Sequence, residues 1–267
     1  VIFINALLDY HTHTTHSWDA KNTVGEMCQS AVDKGITEIC FTEHFALREG
    51  DPCCDYIDFE QYSRDIEFAK DVFQGRLIVK KGLEIGEPHY KRDEINSRIK
   101  GQDLDFIIGS VHSIDGVDLK DYIIHRDQIS SYRGYFEELL ETVSVGDLDV
   151  IGHFDLLRRY AFDSSGRYRH ADFQELIYEI LKKAVSRNIG LEVNTSGFRS
   201  SSTEIFPSRA ILKEYRDLKG EILTVGSDSH LTDTIGYNIG SVYLMLKQIG
   251  FKSVFSFEKR KPKAVEL

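Results

Sequence analysis

The chain has 267 residues, 41% hydrophobic and 28% charged, a composition that fits a globular fold with a substantial core and argues against a disordered chain. Its 33 basic and 43 acidic residues give a formal net charge of −10, which disfavours a nucleic-acid footprint because phosphate-backbone binding wants clustered Lys and Arg. No apolar run approaches the roughly 20 residues that cross a bilayer, and Val1 to Leu8 lack a basic leader or cleavage pattern, so the expectation is a soluble, cytoplasmic protein without membrane contact.

In chain order, the first expected strand is Asn5 to His11, running into His11-Thr12-His13. Residues two apart on a strand share a face, so these two imidazoles can converge on one ion. Thr23 and Glu26 then form a capping-box pattern ahead of Val24, Met27, Cys28, Ala31 and Val32, a helical apolar stripe that Gly35 ends. Strands follow at Glu38 to Thr42, Leu77 to Leu83, Phe106 to Val111, Asp149 to Gly152, Gly190 to Asn194 and Ile222 to Gly226. Helices are expected around 59–73, 89–100, 131–145, 207–218 and 234–249. Phe173, Leu176, Ile177, Ile180, Leu181, Ala184 and Val185 mark another between the fifth and sixth strands. A short strand near Ser253 to Phe257 closes the series, and Lys259 to Lys263 reads as a solvated tail. Seven strand-then-helix units with no composition break predict an α/β fold: a closed or nearly closed barrel, one domain over residues 1–267. Cys28, Cys40, Cys53 and Cys54 show no CxxC spacing and read as reduced thiols rather than disulfides. Oligomeric state is not legible.

Active sites of such barrels lie at the C-terminal strand ends. Here those ends carry His11 and His13, Glu43-His44, Glu84, His112, His153, and Asp228 with His230; Asp19 follows on the loop after the first strand. A lone histidine is more often a surface or hydrogen-bonded group, but this many ionisable groups gathered without metal would incur heavy desolvation and like-charge costs. His16, His89, His125 and His170 fall off the pattern and read as non-ligands. Mixed imidazole and carboxylate donors suit Zn²⁺, Mn²⁺ or Fe²⁺ and disfavour Mg²⁺ or Ca²⁺ alone. Phosphate-monoester hydrolysis through attack of a metal-bridging hydroxide is the natural chemistry. Arg158 and Arg199 follow strand ends and are expected to grip phosphate through their guanidinium forks, with Arg159 the near competitor of Arg158 and a surface ion pair the bland alternative. The polar loop Ser113 to Asp127 reads as a lid, in which Asp115, Asp118 and Tyr122 would meet a cationic amine or imidazole of the substrate. Glu192 and Asn194 share one strand face.

The segments His11-Thr12-His13, Thr42-Glu43-His44, Gly82-Leu83-Glu84, GSVH at 109–112, Ile151-Gly152-His153 and GSDSH at 226–230 together resemble the PHP phosphoesterase superfamily over nearly the whole chain. GSVHSIDG at 109–116, IGHFDLLRRY at 151–160 and LEVNTSG at 191–197 are similar to the monofunctional histidinol-phosphate phosphatases. The resemblance implies a distorted (β/α)7 TIM-like barrel with up to three divalent ions and a small phosphate ester, L-histidinol phosphate, as substrate. By that likeness one ion would take His11, His13, Glu84 and Asp228. A second would share Glu84 and add His112 and His153; a third would take Asp19, His44 and His230. Glu43 stands where the superfamily more often has Asp, and is expected to accept the distal N–H of an imidazole. Glu192 and Asn194 would lie near the pocket, core hydrogen bonding being the alternative. Competing readings are another small phosphate ester such as a nucleotide, a non-catalytic metal-binding barrel, and an amidohydrolase-type barrel, which commonly carries a bridging lysine where this chain has His112.

Overall fold

The computed structural model describes residues 6–267; Asn5, the first residue of the expected opening strand, lies outside them. The elements, in order, are β1 (Leu8–Thr12), α1 (Val24–Asp33), β2 (Glu38–Phe45), α2 (Phe59–Val72), β3 (Ile78–Gly86), α3 (Arg92–Ile99), β4 (Phe106–Ser110), β5 (Ser113–Ile114), β6 (Val117–Asp118), α4 (Leu119–Tyr122), α5 (Gln128–Val145), β7 (Val150–Ile151), α6 (Arg158–Ser165), α7 (Gln174–Ser186), β8 (Gly190–Asn194), α8 (Arg209–Asp217), β9 (Leu223–Gly226), α9 (Ile239–Ile249), β10 (Ser253–Glu258) and β11 (Lys261–Glu266).

Seven strands pair in parallel in the order β1-β2-β3-β4-β7-β8-β9. The ends of that sheet meet where Thr12 bridges Ser229, with His13 N–H donating to Ser229 O and Asp228 N–H to His11 O, each at 2.8 Å. The result is a nearly closed barrel wrapped by helices, as the strand–helix alternation predicts. β2 and β3 run three residues past their expected ends, so Glu43, His44 and Glu84 sit within strands and not after them.

Local chemistry explains the helix positions. Thr23 caps α1 in a complete capping box with Glu26, and Val24, Met27, Cys28 and Ala31 turn inward. Asp58 caps α2, and Asp127 starts α5 three residues earlier than the apolar stripe suggests. Between β4 and α5 the expected lid is a hairpin, β5–β6, whose Asp115-Gly116 tip takes positive φ at both positions, followed by the one-turn α4.

The C-terminal region departs from expectation. Lys259 to Lys263 is not a tail: it turns and pairs, as β10–β11, across the N-terminal end of the barrel. Phe257 packs at 4.8 Å on Phe106 in a small core with Leu8, Tyr10, Cys40, Ile108 and Val150, and its N–H donates to the Tyr10 hydroxyl at 2.7 Å. Arg260 reaches Asp149 at 2.6 Å, and Lys259 N–H donates to Asp105 at 3.1 Å. One end of the barrel is sealed. The other carries the site.

Candidate metal centre

On a regular strand Tyr10 and His11 would face opposite ways. The pairing of β1 with β2 shifts register between Asp9 and Thr12, and this irregularity lets both point into the barrel, Tyr10 toward Phe257 and His11 toward Glu84. Asp9, aimed outward, accepts hydrogen bonds from Ser227 N and Gly236 N, both at 2.8 Å, and so ties β1 to the loop bearing Asp228 and His230.

Glu84, at the end of β3 and 1% exposed, is the hub. Its Oε1 lies 2.8 Å from His153 Nε2 and 3.2 Å from His112 Nε2. Its Oε2 lies 3.0 Å from His44 Nδ1, 3.2 Å from His11 Nε2 and 3.5 Å from His13 Nε2. Asp228, at a φ of 54°, places Oδ1 3.6 Å from His13 Nε2 and 3.7 Å from His11 Nε2. Asp19 folds back over the mouth to His230 Nε2 at 3.2 Å and His44 Nε2 at 3.5 Å. The nine residues expected as metal ligands therefore converge, while Glu43 stands behind them. His16 instead pairs with Asp65, His89 with Glu138 and His170 with Glu214, and His125 is exposed.

The hydrogen-bond inventory decides what this cluster can hold. Ser17 has one proton, and its hydroxyl donates it to Glu43 at 2.6 Å while accepting His44 N–H at 3.0 Å. His13 Nδ1, 3.3 Å from the same oxygen, must then be the donor, which leaves Nε2 a bare lone pair. His230 Nδ1 faces the Asp228 carbonyl at 3.2 Å, so in the neutral ring its Nε2 is likewise a lone pair. These lone pairs face carboxylate oxygens, acceptor against acceptor, and the buried His11 Nε2 and His13 Nε2 have no hydrogen-bond partner. Divalent cations between them remove the conflict, and donor atoms within 4.8 Å of one another form the triplets His11/His13/Asp228, His11/Glu84/His153, His44/Glu84/His112 and His13/His44/His230.

Without cations, protons do part of that work. Burial would strip the proton from His44, but Glu84 and Asp19 outweigh it and push the imidazole up to about 10. His11, His112 and His230 are raised in the same way, against burial, by neighbouring carboxylates. His13, sandwiched between the His44 and His230 rings at 4.2 and 4.3 Å, is driven well below the usual histidine range by burial and then by those two neighbours.

A PHP domain model matches residues 9–196. The chain belongs to the PHP domain family. Among relatives of this PHP chain, the histidinol-phosphatase of Lactococcus lactis subsp. lactis is 29% identical over 259 residues, 95% of each chain. A Clostridium acetobutylicum protein named "Probable histidinol-phosphatase" is 30% identical over 258 residues, covering 95% of this chain and 98% of its own. A crystal structure of histidinol phosphate phosphatase from Lactococcus lactis, complexed with zinc, L-histidinol and phosphate, superposes at a TM-score of 0.89 with 28% identity, covering 96% of this chain and 98% of that one.

Beside the PHP cluster opens a cavity of about 410 Å³ lined by Arg159, Ser196, Arg199, Ser200, Asp228 and His230. Arg199 reaches the carbonyls of Ser227 and Asp228 at 2.8 and 3.2 Å, on the wall where it was expected. Arg158 is not on that wall. It is 3% exposed, turned toward Asp155 and Glu204 and hydrogen-bonded to the Ile205 carbonyl. Arg159 takes the cavity position instead, 3.1 Å from Asp228 Oδ2. Neighbours at the start of a helix point about 100° apart, so only one of the two can face the cavity.

Tyr122 is also displaced from its expected role: it is buried under α5, with its hydroxyl filling the space above Gly134 and its ring stacked under Arg126. Asp115 serves the hairpin tip and Asp118 caps α4. Glu43 touches no imidazole directly; it accepts from Thr14 N at 3.0 Å, from the Thr14 hydroxyl at 2.7 Å and from Ser17, acting on His13 only through that serine. Ser17 gave no signal in the sequence. Glu87, which accepts His112 N–H at 2.6 Å and Ser113 N–H at 2.8 Å, gave none either.

Proposed function

We propose that this protein is a metal-dependent phosphomonoesterase that hydrolyses L-histidinol phosphate to L-histidinol and phosphate. The observation that carries the reading is the lone-pair set of His11, His13 and His230 facing Glu84, Asp228 and Asp19, with the Arg159–Arg199 cavity opening directly beside it. The Lactococcus lactis structure with the same fold holds zinc, L-histidinol and phosphate.

His11, His13, Glu84 and Asp228 would hold one cation, Glu84, His112 and His153 a second, and Asp19, His44 and His230 a third; zinc, manganese and iron(II) all suit these donors. Bound there, such ions supply a hydroxide nucleophile at neutral pH and neutralise charge on the phosphoryl oxygens. Arg159 and Arg199, which both line the cavity, would orient the phosphate by charge-assisted hydrogen bonds. Asp228 serves both halves, its Oδ1 turned to the imidazoles and its Oδ2 to Arg159, so cation binding and phosphate orientation are mechanically joined. Free thiols at Cys28, Cys40, Cys53 and Cys54 accord with a cytoplasmic setting.

The test is a comparison of kcat/KM for L-histidinol phosphate, a nucleoside monophosphate and a phosphotyrosine peptide on zinc- or manganese-loaded protein. L-Histidinol phosphate is expected to lead by about 100-fold or more. Equal rates on all three would contradict the substrate assignment.

A further inference from the structure

Glu192, on β8, is a fully buried carboxylate outside the set that would hold cations. Its Oε1 lies 2.5 Å from His11 Nδ1; its Oε2 accepts the backbone N–H of His153 at 2.7 Å and an Asn194 side-chain N–H at 3.2 Å. One side chain thus grips residues of the cluster from β1 and from the end of β7. To reach His11 it passes β9, which carries Gly226 at the crossing: a Cβ there would stand 2.3 Å from His11 Cβ and 2.6 Å from Glu192 Oε1. The glycine of the GSDSH motif keeps this contact open.

A carboxylate only accepts, so the hydrogen on His11 at this contact belongs to Nδ1, and Nε2 is the nitrogen turned to Glu84 and Asp228. We propose that Glu192 is a positioning residue: it fixes His11 with Nδ1 protonated, pins the backbone of His153, and so presets two imidazoles from different strands to receive cations. The inference rests on the metal-centre reading above. Glutamine has the same shape but one acceptor oxygen, whereas the N–H groups of His11 and His153 meet different oxygens of the Glu192 carboxylate. In Glu192→Gln an NH2 must face either His11 or His153.

The experiment strips the full chain with a chelator and titrates zinc against a chromophoric competitor. In parallel, proton NMR of the zinc-loaded, 15N-histidine-labelled protein reads the imidazole N–H signals. Wild type is expected to bind zinc and to show a far-downfield, exchange-protected Nδ1–H from His11. Glu192→Gln is expected to bind zinc 10- to 100-fold more weakly and to lose that signal, with an unchanged circular dichroism spectrum. Glu192→Asp keeps both acceptors on a shorter arm, and is expected to keep the signal and fall between the two in affinity; it decides the matter should the glutamine variant not fold. Zinc affinity within twofold of wild type in the variants, or a zinc-loaded wild type lacking the His11 signal, overturns the inference. So does a variant that loses only thermal stability, the signature of a purely structural carboxylate. A wild type that binds no zinc would instead bring down the metal-centre reading itself.

Discussion

Arg158 and Arg159 are neighbours with opposite fates, and their variants separate structure from chemistry. Arg158→Ala leaves the fully buried Asp155 without its nearby cation, so it is expected to cost about 3–5 kcal/mol in urea unfolding, with residual activity in whatever fraction stays folded. Arg159→Ala removes a group that is part-exposed at the cavity and is expected to leave stability nearly unchanged while raising KM, as is Arg199→Ala. Steady-state kinetics beside urea titrations check both; wild-type KM in the Arg159 variant would remove it from phosphate binding. At Glu84, which meets five imidazoles, Glu84→Gln is expected to drop kcat by about 1,000-fold or more, read in the phosphate-release assay. The convergence of these imidazoles was legible because strand-end residues two apart share a face. The choice between adjacent arginines was not, because a helix start unmarked by a cap leaves its rotational phase open.

Among the elements, the β10–β11 hairpin is the piece the sequence conceals. Lys261, Lys263 and Glu266 are exposed and charged, which is how an edge strand guards itself and also how a tail reads. What binds the hairpin is long-range: Phe257 under Tyr10 and Phe106, and Arg260 on Asp149. Phe257→Ala is expected to lose about 3–5 kcal/mol by opening a cavity at the closed end of the barrel, while the cluster at the opposite end keeps its metal affinity. Urea unfolding and a zinc titration of the same variant check the two halves of that statement. The helices were placed well by apolar period because their buried faces pack on the sheet. Their starts were less legible where, as at Asp127, the cap precedes the stripe.

Across the whole molecule, it is the carboxylates of Glu84, Asp19 and Asp228 at the open end of the barrel that set the charge state of the imidazoles around them. Among the described residues no helix is long and apolar enough to cross a membrane. In the metal-free protein His44 is raised from 6.5 to about 10, so its favourable pairing is complete below pH 6.5 and is lost as pH rises toward 10. Over the same interval deprotonated imidazoles bind cations better. The thermal midpoints of metal-loaded and metal-free protein are therefore expected to diverge as pH rises from 6.5 to 10, and a gap that stays constant or narrows would contradict this electrostatic balance. The seven-unit barrel was legible from alternation alone, while the bend in β1 that aims His11 inward is a register effect between strands, invisible to any single-strand pattern.

The most direct measurement is phosphate release from L-histidinol phosphate by chelator-stripped protein as zinc or manganese is restored, with bound metal counted by elemental analysis. Negligible turnover is expected without metal, followed by a rise that saturates at no more than about three ions per chain. Turnover indifferent to stripping, or a protein that retains no divalent metal after loading, would contradict it.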